Sequence, residues 1–168
     1  MPQPNKILVG LKDVQHAVEL TRLACRMAGR GASLLLVSVI ELPDVTPLDA
    51  HVPELEAAAG AMFRVALREA GRQHVKASTL IIRAHSASYA LTDELKQRKM
   101  ELAVLGYHHK RTAAEFVFGT TALHLLRHAP CPLLLSIQPA AVARKAKPRK
   151  RAAAKASQQT LPSSGITF

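Results

Sequence analysis

The sequence predicts an α/β fold in which one open, five-stranded parallel sheet carries helices on both faces. Along residues 5–138, short and almost continuously apolar runs alternate with longer segments whose apolar residues recur at helical spacing. Strands that are apolar on both sides are typical of a parallel sheet covered on both faces. The length of 168 residues suffices for one domain with a continuous core. We therefore expect a single domain over residues 5–138.

The first half of the chain contains two strand–helix pairs. Residues 6–11 form an apolar run of strand length, and the next apolar residues share one helical face over about residues 14–30. A second buried strand is predicted at residues 33–40. Two prolines then break the chain before a helix over about residues 52–73.

The second half continues this alternation before its character changes. Residues 76–84 predict a third strand, and residues 88–98 predict a third helix. A fourth strand at residues 101–105 ends at Gly106. The following residues, 107–118, are polar and basic with an apolar end, and they are predicted to form a loop.

The last two elements are a short helix at residues 120–128 and a strand at residues 132–137. Parallel strands joined through helices take right-handed crossovers, and such sheets bind ligands beyond the carboxyl ends of their strands. The candidate site is therefore expected to gather residues 11–13, residues 39–42 and the segment from Gly106 onward.

The positive charge of the chain is concentrated in its C-terminal segment. The formal net charge is +11, but seven of the 23 Lys and Arg follow Pro139, whereas the last of the 12 acidic residues is Glu115. We expect residues 139–168 to form a disordered basic tail, because they contain little that can be buried. A nucleic acid or another polyanion is a possible partner for six of its residues: Arg144, Lys145, Lys147, Arg149, Lys150 and Arg151.

Composition and motifs exclude or disfavour several classes of function. No apolar run approaches the roughly 20 residues of a transmembrane helix, and the N-terminus lacks the apolar core of a signal peptide. Cys25 and Cys131 lack disulfide or metal-site spacing, which favours a reducing cytoplasm. His124 and His128 have the i, i+4 spacing of a chelating pair, but no third ligand is evident, so no metal is expected. The sequence contains no catalytic motif that would assign a catalytic residue.

One spacing, which follows the fourth strand, has chemical meaning. Gly106 ends the strand, two histidines follow, and nine residues later a helix opens with a Gly-Thr-Thr sequence. Glycine lets a backbone approach a ligand closely, and the start of a helix offers N–H groups and threonine hydroxyls to phosphate. A glycine-ended strand and a threonine-capped helix without any ligand are the alternative interpretation. The residues concerned are Gly106, His108, His109, Gly119, Thr120 and Thr121.

These features resemble the universal stress protein family over nearly all of residues 5–138. The resemblance rests on the segments 6–11, 34–39, 102–106, 119–121 and 129–135, the last of which is Ala-Pro-Cys-Pro-Leu-Leu-Leu. It implies a five-stranded α/β fold of the Rossmann-like, adenine-nucleotide α-hydrolase-like type. It also implies a homodimer joined through the last strand and, in some members, ATP or another adenine nucleotide in the cleft.

The family's nucleotide-binding pattern has three glycines, of which Gly106 and Gly119 match the first and the last. His109 stands at the second position, where a side chain crowds a backbone that wraps phosphate. His108 stands where the family often has Arg or His. The family's adenosine-binding Asp corresponds to Lys12, with Asp13 one residue later.

The strand ends and the resemblance together predict a dimeric, cytoplasmic stress-response protein that binds ATP or another adenine nucleotide. The predicted nucleotide site comprises Leu11, Lys12, Asp13, Val39, Gly106, His108, His109, Gly119, Thr120 and Thr121. The predicted dimer contacts alternate along the last strand: Leu133, Leu135 and Ile137. The alternative is a stress protein that binds no nucleotide and associates with nucleic acid or another polyanion through its tail. Slow ATP hydrolysis also stays open.

Overall fold

A computed structural model of the chain describes residues 3–108 and 120–138 and confirms the predicted fold class. Predicted and observed bounds of the elements differ by at most three residues, and the largest differences are at the carboxyl ends of the first helix and the fourth strand. In chain order the elements are β1 (Lys6–Gly10), α1 (Val14–Met27), β2 (Ser33–Glu41), α2 (Pro53–Arg72), β3 (Lys76–Ala84), α3 (Ala87–Gln97), β4 (Leu102–His108), α4 (Thr120–His128) and β5 (Leu133–Gln138).

The five strands form one parallel sheet in the order β3-β2-β1-β4-β5. The chain moves outward from β1 through β2 to β3, and then returns past β1 to add β4 and β5. The direction of winding therefore reverses between β1 and β4. In open parallel sheets this reversal opens a crevice at the carboxyl ends of the two strands, where ligands bind.

The core consists of two clusters of buried apolar side chains, one on each face of the sheet. Successive residues of β1 point to opposite faces, so Ile7 packs with α1 and α2 whereas Leu8 packs with α3 and α4. Leu20 and Phe63 fill the first cluster, and Leu125 contributes to the second. The core is thus built mainly from aliphatic side chains, in agreement with the low aromatic content of 4%.

One charged side chain is buried in the layer formed by α1 and α2. Glu69 is only 3% exposed, and its Oε1 accepts a hydrogen bond from Arg22 Nε at 2.8 Å. Arg72 Nη1 lies 3.6 Å from Oε2. The hydrogen bond and charge of Arg22 hold the pKa of Glu69 below its ordinary value, in opposition to burial. This carboxylate joins the two helices as an ion.

The two edge strands differ in what surrounds them. Most residues of β3 are exposed or half-buried. In β5, Leu133 and Leu135 are half-buried against the cluster beneath α3 and α4, while Ile137 is 51% exposed. An apolar side chain thus faces solvent on the strand predicted to form the dimer contact.

None of the described helices combines the length and the hydropathy that a bilayer-spanning segment needs. The predicted basic tail, residues 139–168, lies outside the described residues. So do residues 109–118 of the predicted loop and Gly119.

Candidate functional site

The candidate site lies at the carboxyl edge of the sheet, where β1 and β4 end side by side. Gly10 is the register partner of Leu105 on β4 and of Val37 on β2. The pairing of β1 with β2 continues one residue further, because Leu11 N donates to Val37 O at 2.8 Å. Leu11 is buried, so the apolar core extends to this edge of the sheet.

Close packing explains the glycine at the end of β1. A Cβ atom at Gly10 would lie 2.3 Å from Leu105 Cδ2 on the neighbouring strand. Such a distance is far inside van der Waals contact, so a larger residue would displace the Leu105 side chain. Gly10 therefore lets β1 and β4 approach each other at the crevice.

The start of α1 is occupied by a carboxylate of the chain itself. Asp13 is the N-cap residue, and its Oδ1 accepts a hydrogen bond from His16 N at 3.0 Å. The same oxygen lies 2.7 Å from His16 Nδ1. Lys12, one residue earlier, is exposed. Of the two polar residues predicted beside adenosine, Asp13 therefore stabilises the helix and Lys12 points into solvent.

A second carboxylate occupies the start of α3. Glu41, the last residue of β2, accepts a hydrogen bond from Ala87 N at 2.9 Å through Oε1. Val39, a predicted site residue two positions earlier, is half-buried and packs against the cluster beneath α3 and α4. Glu41 lies within residues 39–42, which were expected at this edge, but its contact with α3 was not predicted, because Ala87 is 46 residues away and no local pattern signals it.

The strand β4 extends further than predicted. It runs through Gly106 to His108, and Gly106, Tyr107 and His108 are the register partners of Ser136, Ile137 and Gln138. The prediction that β4 ends at residue 105 was wrong. Pairing with β5 keeps the next three residues, 106–108, in the sheet.

Gly106 faces α1. A Cβ atom at this position would lie 3.0 Å from Leu20 Cδ1, so the glycine allows the helix to pack closely against the strand. Its presence is thus explained by packing, and its phosphate-binding role stays a prediction.

The helix α4 begins at the same edge of the sheet, because it runs back from the end of β4 towards the start of β5. Its first residue, Thr120, is exposed, and Thr121 is half-buried. The first turns of α1, α3 and α4 all lack acidic residues. The first N–H groups of α1 and α3 instead donate to Asp13 and Glu41, whereas no carboxylate of the described residues accepts such a bond at the start of α4.

The start of α2 carries its own acidic residues, and one of them is neutralised. Glu56 in the first turn accepts a hydrogen bond from Arg83 of β3. This bond holds the pKa of Glu56 below its ordinary value. The carboxylate and the guanidinium thus form an ion pair at the carboxyl end of β3.

Seven predicted site residues are brought to this edge of the described structure: Leu11, Lys12, Asp13, Val39, Gly106, Thr120 and Thr121. The backbone of His108 ends β4 at the same edge. His109 and Gly119 lie outside the described residues. Their assignment to the nucleotide site stays a prediction.

The histidine pair of α4 lies away from this edge, in a ring cluster with α3. The rings of His124 and His128 are 4.5 Å apart between centroids, and Tyr89 lies 4.7 Å from His124. Within residues 3–108 and 120–138, no group of three or more potential metal ligands is present.

The strand order and the connections define an open, parallel α/β protein whose winding reverses between β1 and β4. Residues 4–136 match the Universal stress protein family. The chain belongs to this family, as its sequence indicates. A search of curated protein sequences found no match.

Solved structures of the family share this fold. A universal stress protein family member from Burkholderia pseudomallei is 25% identical, with 79% of this chain and 95% of that chain covered and a TM-score of 0.53. The universal stress protein from Archaeoglobus fulgidus in complex with dAMP is 17% identical, covers 80% and 96%, and has a TM-score of 0.60. A family protein from Arabidopsis thaliana with AMP bound is 16% identical, covers 82% and 94%, and has a TM-score of 0.54.

Proposed function

We propose that this universal stress protein binds an adenine nucleotide at the carboxyl edge of its sheet. The phosphates lie against Gly106 and the start of α4, and the adenosine lies beside residues 11–13 and Val39. The protein acts as a nucleotide-responsive module in the stress response.

The observation that carries the proposal is the contrast among the helix starts at this edge. The positive end of a helix dipole attracts an anion. In α1 and α3 this role is taken by Asp13 and Glu41. Within the described residues, no carboxylate accepts a hydrogen bond from the start of α4, whose first two residues are threonines. A phosphate at α4 would thus supply the negative charge that the chain supplies itself at the other two helices.

Two relatives support the same class of ligand. The Archaeoglobus fulgidus protein carries dAMP and the Arabidopsis thaliana protein carries AMP. The match to this chain includes 96% of the first protein and 94% of the second. An adenine nucleotide is therefore the ligand class that fits the family, and phosphate is the group that fits the start of α4.

Two residues set the expected affinity below that of a chain with the full family pattern. His109 replaces a glycine, and its side chain narrows the approach to the phosphates. Asp13 already caps α1, and its charge repels a nearby phosphate. We expect binding of ATP, ADP or AMP in the millimolar to micromolar range, about 4–8 kcal/mol.

Calorimetry with ATP, ADP and AMP tests the proposal. Thr120→Val removes a hydroxyl at the start of α4 and should weaken binding by about five-fold, the value of one hydrogen bond. Thr79→Val, the same substitution at an exposed position in the middle of β3, is the matched control and should leave binding unchanged. Gly119→Val should abolish binding, and His109→Gly should strengthen it.

The proposal is wrong if none of the three nucleotides binds at about millimolar concentration, where a 4 kcal/mol interaction is half saturated. It is also wrong if Thr120→Val and Thr79→Val bind equally well.

We further propose that the protein is a homodimer that pairs through β5. β5 is the last strand of the sheet, and its Ile137 is exposed, as are Leu123 and Leu126 of the preceding helix α4. An exposed apolar edge strand is protected from nonspecific pairing when a second copy covers it. The family resemblance supports the same contact.

Sedimentation velocity at about tens of micromolar tests the dimer, since a standard-sized interface is populated at that concentration. Ile137→Asp should shift the protein towards the monomer. Ile81→Asp, on the opposite edge strand, makes the same change at a partly exposed isoleucine and should leave the dimer intact. A monomeric parent protein would contradict the proposal.

A second function, association with a polyanion, is favoured by the seven basic residues after Pro139. The charges are not interleaved with aromatic residues for base stacking, so contacts to nucleic acid should be independent of sequence.

A further inference from the structure

A groove of about 480 Å³ opens at the amino edge of the sheet, opposite the candidate nucleotide site. The first residues of β1 and β2 and the third residue of β3 form its floor, and the chain that follows α3 forms one wall. The polar residues that line it are Lys6, Ser33, Ser78, Gln97, Arg98 and Lys99. A volume of this size lies in the range of small-molecule sites.

The polar floor arises where the helical layer ends. Lys6 and Ser33 are register partners at the starts of their strands, and both are exposed. Further along the strands, the same face becomes apolar and packs beneath α3 and α4 through Leu8, Leu35 and Leu80. The groove is thus the end of this face that α3 leaves uncovered.

The charge around the groove is positive and only partly compensated. Arg98 is paired with Glu94, with Nε and Oε2 2.5 Å apart. Glu101, the other nearby acid, accepts a hydrogen bond from Asn5 N at 2.8 Å. In the described part of the chain, no ion pair involves Lys6 or Lys99.

A further lysine stands beside the groove. Lys76 begins β3 as the register partner of Ser33, so Lys6 and Lys76 flank the serine on the two neighbouring strands. The Ser33 hydroxyl lies on the strand between these cations, and Ser78, whose Oγ donates to Leu34 O at 3.5 Å, lines the same groove. The floor therefore combines positive charge with neutral hydrogen-bond donors, as phosphate recognition requires.

The end of α3 does not cancel this positive charge. The last carbonyl groups of a helix carry partial negative charge when they lack hydrogen-bond donors. Here Arg98 N donates to Glu94 O, Lys99 N to Lys96 O and Met100 N to Leu95 O, at 3.0–3.2 Å. These bonds satisfy three of the terminal carbonyl oxygens, so the helix end repels an anion less.

Lys99 is held in an unusual backbone conformation at the mouth of the groove. Its φ of 51° lies in the left-handed region, where glycine is the usual residue after a helix. A lysine there is conformationally disfavoured relative to glycine, but it adds a second basic residue after Arg98 to the lining of the groove.

We propose that this amino-edge groove binds a small anion that carries two or more phosphoryl groups. Cations on the floor, at Lys6, and on the wall that follows α3, at Arg98 and Lys99, suit an extended, multiply charged anion better than a single phosphate. The lining contains no aromatic side chain, so it offers no surface for stacking a base. The phosphoryl chain itself is therefore the group recognised.

Amide NMR of the full ¹⁵N-labelled chain, titrated with sodium tripolyphosphate, tests this proposal and separates the groove from the basic tail. The amide signals of Ser33, Ser78 and Met100 should shift together and saturate. Lys6→Gln with Lys99→Gln should weaken the binding measured at these signals by at least about ten-fold, because charge-assisted hydrogen bonds are lost. Arg64→Gln with Arg68→Gln removes the same charge from an exposed part of α2 and is the matched control.

Three results would overturn the proposal. Shifts confined to residues 139–168 or to the carboxyl edge would place the anion elsewhere. Equal weakening by the groove and control variants would indicate nonspecific attraction to charge. Sulfate that saturates the same signals as tightly as tripolyphosphate would show that one anionic group suffices.

A titration with ATP distinguishes the source of the phosphoryl groups. If a nucleotide triphosphate is recognised here, ATP should shift the groove signals in the parent protein and not in the Lys6→Gln, Lys99→Gln variant. If only tripolyphosphate shifts them, the site takes free polyphosphate. The signals of Lys12, Thr120 and Thr121 report separately on the carboxyl edge, so either site can fail without the other.

Discussion

The two ends of the sheet carry opposite charge, and the helices explain why. At the carboxyl edge, where helices begin, Asp13 and Glu41 accept hydrogen bonds from the first N–H groups of α1 and α3. At the amino edge, where helices end, each last turn contains a basic residue: Arg26, Arg72, Lys96, and Arg127 with His128. Both arrangements complement the helix dipole.

Each edge has one place where positive charge is not neutralised by the described acids. At the carboxyl edge, no carboxylate of the described residues accepts a hydrogen bond from the start of α4. At the amino edge, the groove has more cations than the nearby acids neutralise. Both places keep positive potential, and both are therefore where we propose anionic ligands.

The largest effect on stability is expected from Gly10→Ala at the carboxyl edge. The added methyl group would overlap Leu105, which lies in a well-packed core, and overpacking of this kind costs about 1–3 kcal/mol. Gly71→Ala, in the last turns of α2 near the amino edge, meets no atom within 4 Å and should stabilise by about 0.4–1 kcal/mol. Urea unfolding of both variants measures the difference, and a neutral Gly10→Ala would contradict the close approach of β1 and β4.

A second effect on stability is expected at Glu69, which is buried between α1 and α2. Its pKa is lowered in the folded protein, mainly by Arg22, so its contribution to stability is present above the unfolded pKa. That contribution is lost as pH falls through the lowered, folded value. Urea unfolding at pH about 6.5 and about 3.5 should show Glu69→Gln destabilised chiefly at the higher pH. A constant difference between variant and parent would show that charge is not what the carboxylate contributes.

A smaller effect should follow from removing the carboxylate at the start of α1. Asp13→Ala should cost about 1 kcal/mol, because an N–H group at the first turn loses its acceptor. Asp13→Asn keeps a capping oxygen and should recover most of the loss, while it removes a negative charge near the proposed phosphate site. Thermal unfolding and ATP calorimetry on the two variants separate the roles. If Asp13→Ala were as stable as the parent protein, Asp13 would not be a stabilising cap of α1.

The smallest effect on stability is expected from truncation after Gln138. The deleted residues carry seven basic side chains and no acids, and the described core is built without them. The free energy of unfolding should change by less than about 0.5 kcal/mol. Salt-dependent retention on heparin should fall steeply, since the tail holds much of the net charge. Strong retention after truncation would instead identify the folded body, and first the amino-edge groove, as the polyanion site.

Local periodicity in the sequence determined the number, type and order of the described elements. The apolar run at residues 33–40 and the helical spacing over residues 52–73 are signals that each segment carries alone, because burial on both faces or on one face selects different residues. The predicted strand ends and helix starts placed seven of the ten proposed site residues correctly at the carboxyl edge. The N-cap role of Asp13 also had a local signal, since an Asp directly precedes the first helical residue.

Only the tertiary structure decided which distant residues meet. The packing of Gly10 against Leu105 and of Gly106 against Leu20 depends on strand order and helix placement. Glu41 meets Ala87 across 46 residues, and Arg22 meets Glu69 across 47. The amino-edge groove likewise joins side chains from three strands and the end of a helix. Local periodicity reports how a segment is buried, whereas these contacts depend on which buried segments become neighbours, and that is set by the packing of the whole sheet.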